Sequence, residues 1–158
     1  MKSRILFFFF IIFLPVLGCG QSLSENQANA ENADPASYVG MTIENLISRF
    51  GIPSSVYPVR GLEDWQDDVV FVYEEGDFYI FRDRVWQLGL TSYRGINTGD
   101  PGSVVMLILD DVSGLSRLQS PPGSISFSIY ESSWPMILRF DFDDAGRIRG
   151  IFIFRSDL

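Results

Sequence analysis

The chain of 158 residues carries 20 acidic and 12 basic residues, and this formal net charge of −8 argues against nucleic acid as a partner. It has no His and a single Cys, which excludes His-based catalytic triads and zinc sites built from His and Cys. It also lacks a Walker-type phosphate loop and a dinucleotide fingerprint, and we predict neither a cofactor nor a metal site.

The first residues have the pattern of a secretory signal. Lys2 and Arg4 precede an unbroken apolar run from Ile5 to Leu14, which is too short to cross a bilayer, where about 20 residues are needed. The tetrapeptide Val-Leu-Gly-Cys that ends at Cys19 resembles the lipobox of bacterial lipoproteins, in which the signal is cleaved before the Cys and its thiol is acylated. We therefore predict a signal peptide over residues 1–18 and a lipid such as palmitate on Cys19.

The lone Cys supports lipidation, because an exported chain with one Cys has no disulfide partner within itself. A free thiol near the cleavage site is the alternative. Acylation would anchor the protein to a membrane without a transmembrane segment. It implies the bacterial cell envelope, with the domain in the periplasm or at the cell surface. Residues 19–37 are small and polar with one Leu, which predicts a flexible tether with a reach of about a few tens of Å.

A short helix is predicted over residues 43–50. Thr42 is a suitable N-cap, and Gly51 followed by Pro53 is a typical stop signal. Four apolar residues fall on one side of this helix at positions i, i+3, i+4 and i+7, and they are Ile43, Leu46, Ile47 and Phe50. The period then changes to two, which is typical of strands. Three strands are predicted in this first half, at Val69–Tyr73, Phe78–Phe81 and Val85–Leu90.

A weak internal repeat begins at Gly99, which aligns with Gly40. Asp100 and Pro101 suit a helix start, and they predict a second short helix. A strand from Val104 to Leu109 is the competing interpretation, because the segment is rich in β-branched residues. Three more strands are predicted after it, at Ile125–Tyr130, Met136–Phe142 and Ile148–Phe154.

These elements predict an α+β fold. Two tandem helix-plus-three-strand repeats, at residues 38–94 and 95–158, would place a helical layer on one face of a single antiparallel sheet, within one compact domain. The other face of that sheet would remain open or concave.

The segment that starts with Gly-Met-Thr at residue 40 and ends with Phe-Gly-Ile-Pro at Pro53 resembles the opening of small bacterial lipoproteins of the SmpA/BamE type. The tandem plan is similar to the β-lactamase-inhibitor-protein fold. The resemblance implies an envelope protein that binds other proteins, which are assembly factors of the outer-membrane barrel machinery in one case and an enzyme in the other. A tandem repeat departs from the single unit of the assembly lipoproteins, and the disulfides of the inhibitors are absent here.

The candidate binding residues lie on the last strand of each half. If Val85 faces the core, strict alternation places Trp86 and Leu88 on the open face of the sheet. The matching positions in the second half are Arg149 and Ile151. Aromatic and Arg side chains on one surface are typical of protein-binding hot spots. The alternative buries Trp86 and exposes Val85.

The leading hypothesis is therefore a non-catalytic, membrane-anchored lipoprotein that binds an unidentified envelope protein, with a role in envelope or outer-membrane protein assembly. An inhibitor-like binder of an enzyme is one alternative. A second is a small apolar or peptidic ligand in a pocket lined by Trp86, Phe78 and Leu88. A third is a hydrolase that would use paired carboxylates from two acidic groups of the sequence, Asp67 with Asp68 and Asp141 with Asp143.

Overall fold

An antiparallel sheet of eight strands dominates the chain. The computed structural model describes residues 33–60, 67–130 and 132–158, so the predicted signal peptide, Cys19 and most of the predicted tether lie outside the described residues. Within the described part, no helix has the length and apolar composition that crossing a membrane would require.

The compact unit spans Asp34–Leu158. It begins with a 3₁₀ helix at Pro35–Tyr38, where the side chain of Asp34 accepts a hydrogen bond from the amide of Ala36. Residues 35–37 of the predicted tether thus belong to this helix.

Ten strands and two α-helices follow in the described chain. The large sheet has the order β1-β2-β3-β4-β10-β9-β8-β7, and β5 and β6 form a separate two-stranded hairpin. The helices are α1 (Ile43–Phe50) and α2 (Ser103–Leu109). The strands are β1 (Ser55–Arg60), β2 (Asp67–Tyr73), β3 (Gly76–Phe81), β4 (Arg84–Leu90), β5 (Ser92–Tyr93), β6 (Ile96–Asn97), β7 (Leu115–Leu118), β8 (Ser124–Ile129), β9 (Met136–Phe142) and β10 (Ile148–Arg155).

The predicted α+β fold of two helix-plus-three-strand repeats is wrong. The chain is mostly β, and four strands of the large sheet follow each short helix. The sequence missed the short strands β5 and β6 and, in the large sheet, the two edges β1 and β7. β1 contains Pro58 and is largely exposed, and β7 has only four residues, so neither shows an apolar alternation. Proline is tolerated in β1 because an edge strand needs only one side of its backbone for pairing.

The predicted helix over residues 43–50 is confirmed. The Thr42 hydroxyl accepts a hydrogen bond from the amide of Asn45 at 3.2 Å, which caps the first turn. Gly51 ends the helix at a φ of 80°, and its amide donates to the carbonyl of Ile47.

The second predicted segment is a helix rather than a strand. α2 starts after Gly102, which makes no side-chain capping bond, and not at Asp100 as predicted. Val105 and Leu109, one helical turn apart, are fully buried, whereas Leu107 is 85% exposed. Burial at i and i+4 explains why this β-branched segment is helical, because tertiary packing overrides local propensity.

The core lies on one face of the large sheet. Cross-strand neighbours on that face are fully buried, and Phe78 in β3 stands opposite Leu88 in β4, which stands opposite Ile153 in β10. The ring of Phe50 packs on Phe78 at a centroid distance of 5.4 Å, so α1 covers this face. Burying such side chains contributes about 1.5–3 kcal/mol each.

The same pair of hydrogen bonds occurs in each half of the domain. The amide of Gly40 donates to the carbonyl of Val85 at 2.7 Å, and Arg84 donates from Nη1 to the Gly40 carbonyl at 2.9 Å. In the second half, the amide of Gly99 donates to the carbonyl of Ile148 at 2.7 Å. The equivalent arginine, Arg147, donates to the Gly99 carbonyl at 2.8 Å. In each half, these bonds connect the glycine that precedes the helix to the start of the last strand.

Candidate functional site

Trp86 is the extra residue of a β-bulge between β3 and β4. Ile80 stands opposite Val85 and Tyr79 opposite Gln87, so Trp86 has no cross-strand partner in this ladder. A bulge of this kind shifts the alternation of side chains by one position. Val85 is therefore fully buried in the core, while Trp86 is half-buried on the opposite face.

Arg149 occupies the corresponding position in β10. Ile148 stands opposite Phe142 and Gly150 opposite Asp141, which leaves Arg149 between them as the extra residue. Arg149 is exposed, and Ile148 is buried in the core like its counterpart Val85.

The predicted set of binding residues is therefore divided between two faces. Leu88 and Ile151 are fully buried in the core, so their predicted place on the open face beside Trp86 and Arg149 is wrong. The error comes from strict alternation, which the two bulges interrupt. The alternative that exposes Val85 is also wrong, because this side chain has no exposed surface.

The face opposite the core carries a group of large side chains that we call the aromatic face. Its register is continuous across five strands, because Tyr57 pairs with Val70, Val70 with Tyr79, Tyr79 with Gln87 and Gln87 with Phe154. Directly opposed residues point to the same side of a sheet. All members of the aromatic face keep part of their surface exposed, and they are Tyr57, Tyr79, Trp86, Arg139, Phe152 and Phe154.

Arg139 organises the part of the aromatic face on β9 and β10. Its guanidinium carbon lies 5.5 Å from the ring centroid of Phe152 and 5.4 Å from that of Phe154. Its Nε lies 3.0 Å from an Asp141 carboxylate oxygen, and Nη2 donates to the other oxygen at 3.2 Å. An arginine held by a carboxylate and two rings has few remaining rotamers, so it presents a fixed surface.

Trp86 and two tyrosines occupy the part on β1 to β4. The rings of Tyr79 and Trp86 meet edge to face at 6.5 Å, and the indole Nε1 donates to an Asp68 oxygen at 3.1 Å. Burial raises the pKa of Tyr79, and the nearby Tyr57, Asp77 and Asp68 raise it further. Burial and the carboxylate of Asp77 also raise the pKa of Tyr57. Burial is the larger cause of both shifts, and the neighbouring carboxylates add to it.

Phe152 lies over two glycines. Its pairing partner is Gly89, and a Cβ placed on Gly150 would come within 2.7 Å of the Phe152 ring. The ring thus covers backbone that would otherwise be open, in the manner of aromatic rings that compensate for glycine in strands.

Sequence reasoning missed most of the aromatic face. Phe152 and Phe154 alternate with the buried Ile151 and Ile153, and this alternation was a usable signal. Tyr57 was not identified because its strand, which contains Pro58, was not predicted.

The proposed ligand pocket of Trp86, Phe78 and Leu88 does not form. Phe78 and Leu88 are fully buried on the core face, whereas Trp86 lies on the other. A cleft of about 440 Å³ exists elsewhere, where the ion pair of Asp34 and Arg94, at 3.2 Å, forms part of its wall.

The three candidate carboxylates whose side chains are described have different partners and do not share one cleft. Asp68 accepts from Trp86, and Asp141 is paired with Arg139. Asp143 is part of a turn, where Oδ1 accepts from the amides at positions 145 and 147. The side chain of Asp67 lies outside the description. Among the described residues, no three His, Cys, Asp or Glu side chains are grouped so that they could hold a metal ion.

Comparisons with protein-family models and with curated proteins find no match for this chain. Among solved structures, it is similar to an extracellular protein containing a SCP domain from Bacillus anthracis, at 13% identity and a TM-score of 0.49. The match covers 79% of this chain and 46% of that protein, so the chain spans less than half of its length. At this level the likeness carries no argument about function or location.

Proposed function

We propose that this protein is a bacterial envelope lipoprotein, anchored through Cys19, that binds another protein through the aromatic face without catalysis. The observation that carries the proposal is the group of partly exposed aromatic rings on the face opposite the core, where Tyr57, Tyr79 and Phe154 lie in one cross-strand register. Contiguous exposed apolar surface is rare on monomeric proteins and usually marks a binding site.

The composition of the face supports a protein rather than a small molecule as partner. Tyr, Trp and Arg are the residues most enriched at the energetic centres of protein interfaces. Here they project from paired strands, and Arg139 is held in place by Asp141, so little conformational entropy is lost on binding.

The envelope location rests on the N-terminal sequence. The apolar run and the tetrapeptide that ends at Cys19 support export and acylation. The resemblance of the helix opening to SmpA/BamE-type lipoproteins adds assembly of envelope proteins as the biological setting. A tether between the anchor and Asp34 would let the aromatic face reach a partner in the membrane or beside it.

Site-specific photo-crosslinking in cells tests this proposal. A benzophenone amino acid is placed at Tyr79, within the aromatic face, or at Leu107, which is 85% exposed on α2 and serves as the matched control. We expect a discrete crosslinked product from position 79 and a much weaker one from position 107. Adding Phe154→Ser should remove the product at position 79.

Equal products at both positions, or a product at position 79 that Phe154→Ser leaves unchanged, would contradict binding through this face. The urea midpoint of each variant shows whether it is folded, since Phe154 is only half-buried and its loss should not unfold the sheet.

A further inference from the structure

Two carboxylates flank the tyrosines of the aromatic face. Asp77 lies two residues from Tyr79 along β3, and Asp68 lies two residues from Val70 along β2, so both point to the same side as the tyrosine row. Residues two apart on one face are about 7 Å from each other. The β1–β4 part of the aromatic face therefore combines aromatic rings with two carboxylates, of which Asp77 accepts from the Tyr57 hydroxyl and Asp68 from the Trp86 indole.

The other half of the sheet contains the complementary arrangement. Asp77 and Arg139 occupy equivalent positions relative to the two bulges. Asp77 lies three residues before Ile80, the partner of Val85, and Arg139 lies three residues before Phe142, the partner of Ile148. The second half thus has a guanidinium at the position where the first half has a carboxylate. That guanidinium stacks on two rings and pairs with Asp141, so this face already holds one arginine between rings and a carboxylate.

The geometry points to an arginine side chain of the partner protein as the group that binds between Tyr57, Tyr79 and Asp77. This inference rests on the proposed function and adds the chemistry of its central contact. A guanidinium is planar, so it stacks on a tyrosine ring while its N–H groups donate to a carboxylate. The net charge of −8 favours the approach of a basic segment.

Arginine suits this surface better than lysine. The rings of Tyr79 and Trp86 meet edge to face at a centroid distance of 6.5 Å, so they do not form a pair of parallel faces. A flat guanidinium fits against such a ring, whereas a strongly hydrated ammonium must lose more water for the same contact.

Tripeptide titrations followed by NMR test the inference on the processed full chain in detergent micelles. The signal is the indole Nε1–H of Trp86, which is assigned from its absence in Trp86→Phe and which neighbours Tyr79. The probes are acetyl-Gly-Arg-Gly-amide, its neutral citrulline isostere and the lysine analogue. We expect the arginine peptide to shift this signal saturably, with at least about fivefold weaker binding of the citrulline and lysine peptides.

The matched variants are Asp77→Asn and Asp110→Asn, which change the net charge equally. Asp110 is exposed at the end of α2. Asp77→Asn should weaken the arginine peptide at least about fivefold, and Asp110→Asn should leave it unchanged. The inference is overturned by equal binding of arginine and citrulline, by tighter binding of lysine, by equal effects of the two variants, or by no saturable shift.

The peptide titration and the crosslinking test can fail separately. If the peptides do not bind but crosslinking at position 79 still depends on Phe154, the protein-binding function stands and the arginine contact fails. If the arginine peptide binds and no crosslink forms, the face recognises guanidinium and the proposed protein-binding role fails.

Discussion

The indole of Trp134 occupies the space where a side chain on Gly40 would begin. Gly40 has a φ of 88°, and a Cβ built on it would collide with Nε1 of Trp134. Gly99, its counterpart in the second half, has a φ of 90° but no atom within 4 Å of the equivalent position. Substituting each glycine in turn therefore distinguishes the cost of backbone strain from the cost of steric overlap.

We expect Gly40→Ala to lower the free energy of unfolding by about 3 kcal/mol or more, because strain and overpacking add. Gly99→Ala should cost only the strain, about 1–2 kcal/mol. Urea denaturation followed by circular dichroism measures both. Equal losses would mean that Trp134 moves away at no cost and that its packing on Gly40 does not matter for stability.

Leu88 and Trp86 are close in sequence but lie on opposite faces, so their substitutions should have different effects. Leu88→Ala removes a fully buried side chain and should destabilise the fold by about 2–5 kcal/mol. Trp86→Ala removes a half-buried ring and one hydrogen bond and should cost about 1–2 kcal/mol. A larger loss for Trp86→Ala, measured by urea denaturation, would show that the face assignment is inverted.

Because of Tyr79, the free energy of unfolding should depend on pH in the alkaline range. Its pKa in the folded state is raised above the ordinary value of 10.0, chiefly by burial, so its contribution is complete below pH 10 and is lost as pH rises through the folded pKa. The unfolding free energy of the wild type should therefore fall between pH 9 and pH 11 more steeply than that of Tyr79→Phe. Urea denaturation at about pH 9 and about pH 11 measures the difference.

Tyr130 is the control with the opposite sign. Hydrogen bonds from Ser116 and Ser128 lower its pKa, so ionisation of this tyrosine favours the folded state at high pH. Tyr130→Phe should not make the pH dependence shallower. If both tyrosine variants flatten the pH dependence, the effect of Tyr79 does not come from its burial.

Cys19 should decide where the protein is found. Intact mass of the protein extracted from membranes should correspond to a chain that starts at Cys19 and carries acyl groups. Cys19→Ser should remain unprocessed or be released from the membrane. A wild-type mass without lipid that starts after Cys19 would contradict anchoring, while the aromatic face could still bind a partner of a secreted protein.

The elements with strong local signals were predictable from the sequence. The cap at Thr42 and the stop at Gly51 defined α1, and apolar alternation defined the central strands. The edge strands were not predictable, because they bury little and so carry no alternation.

The bulges explain why the site was only partly predicted. One extra residue in a strand reverses every later side chain, and whether it is present depends on pairing with a distant strand. Trp86 was placed on the open face, but Leu88, two positions later, was placed there as well and is buried. Gly150 was a weak indication of the second bulge, since glycine in a strand often marks one.

Pro58 has a consequence for copies of this protein that meet at high local concentration. An outer strand with free amides is a template on which a neighbouring copy can add its own strand, and repeated addition produces fibres. Proline has no amide hydrogen, and in β1 its position falls in the middle of the pairing register with β2. The edge strand β1 therefore lacks one backbone donor near its middle. This gap disfavours edge-to-edge pairing of β1 with a neighbouring copy of the protein.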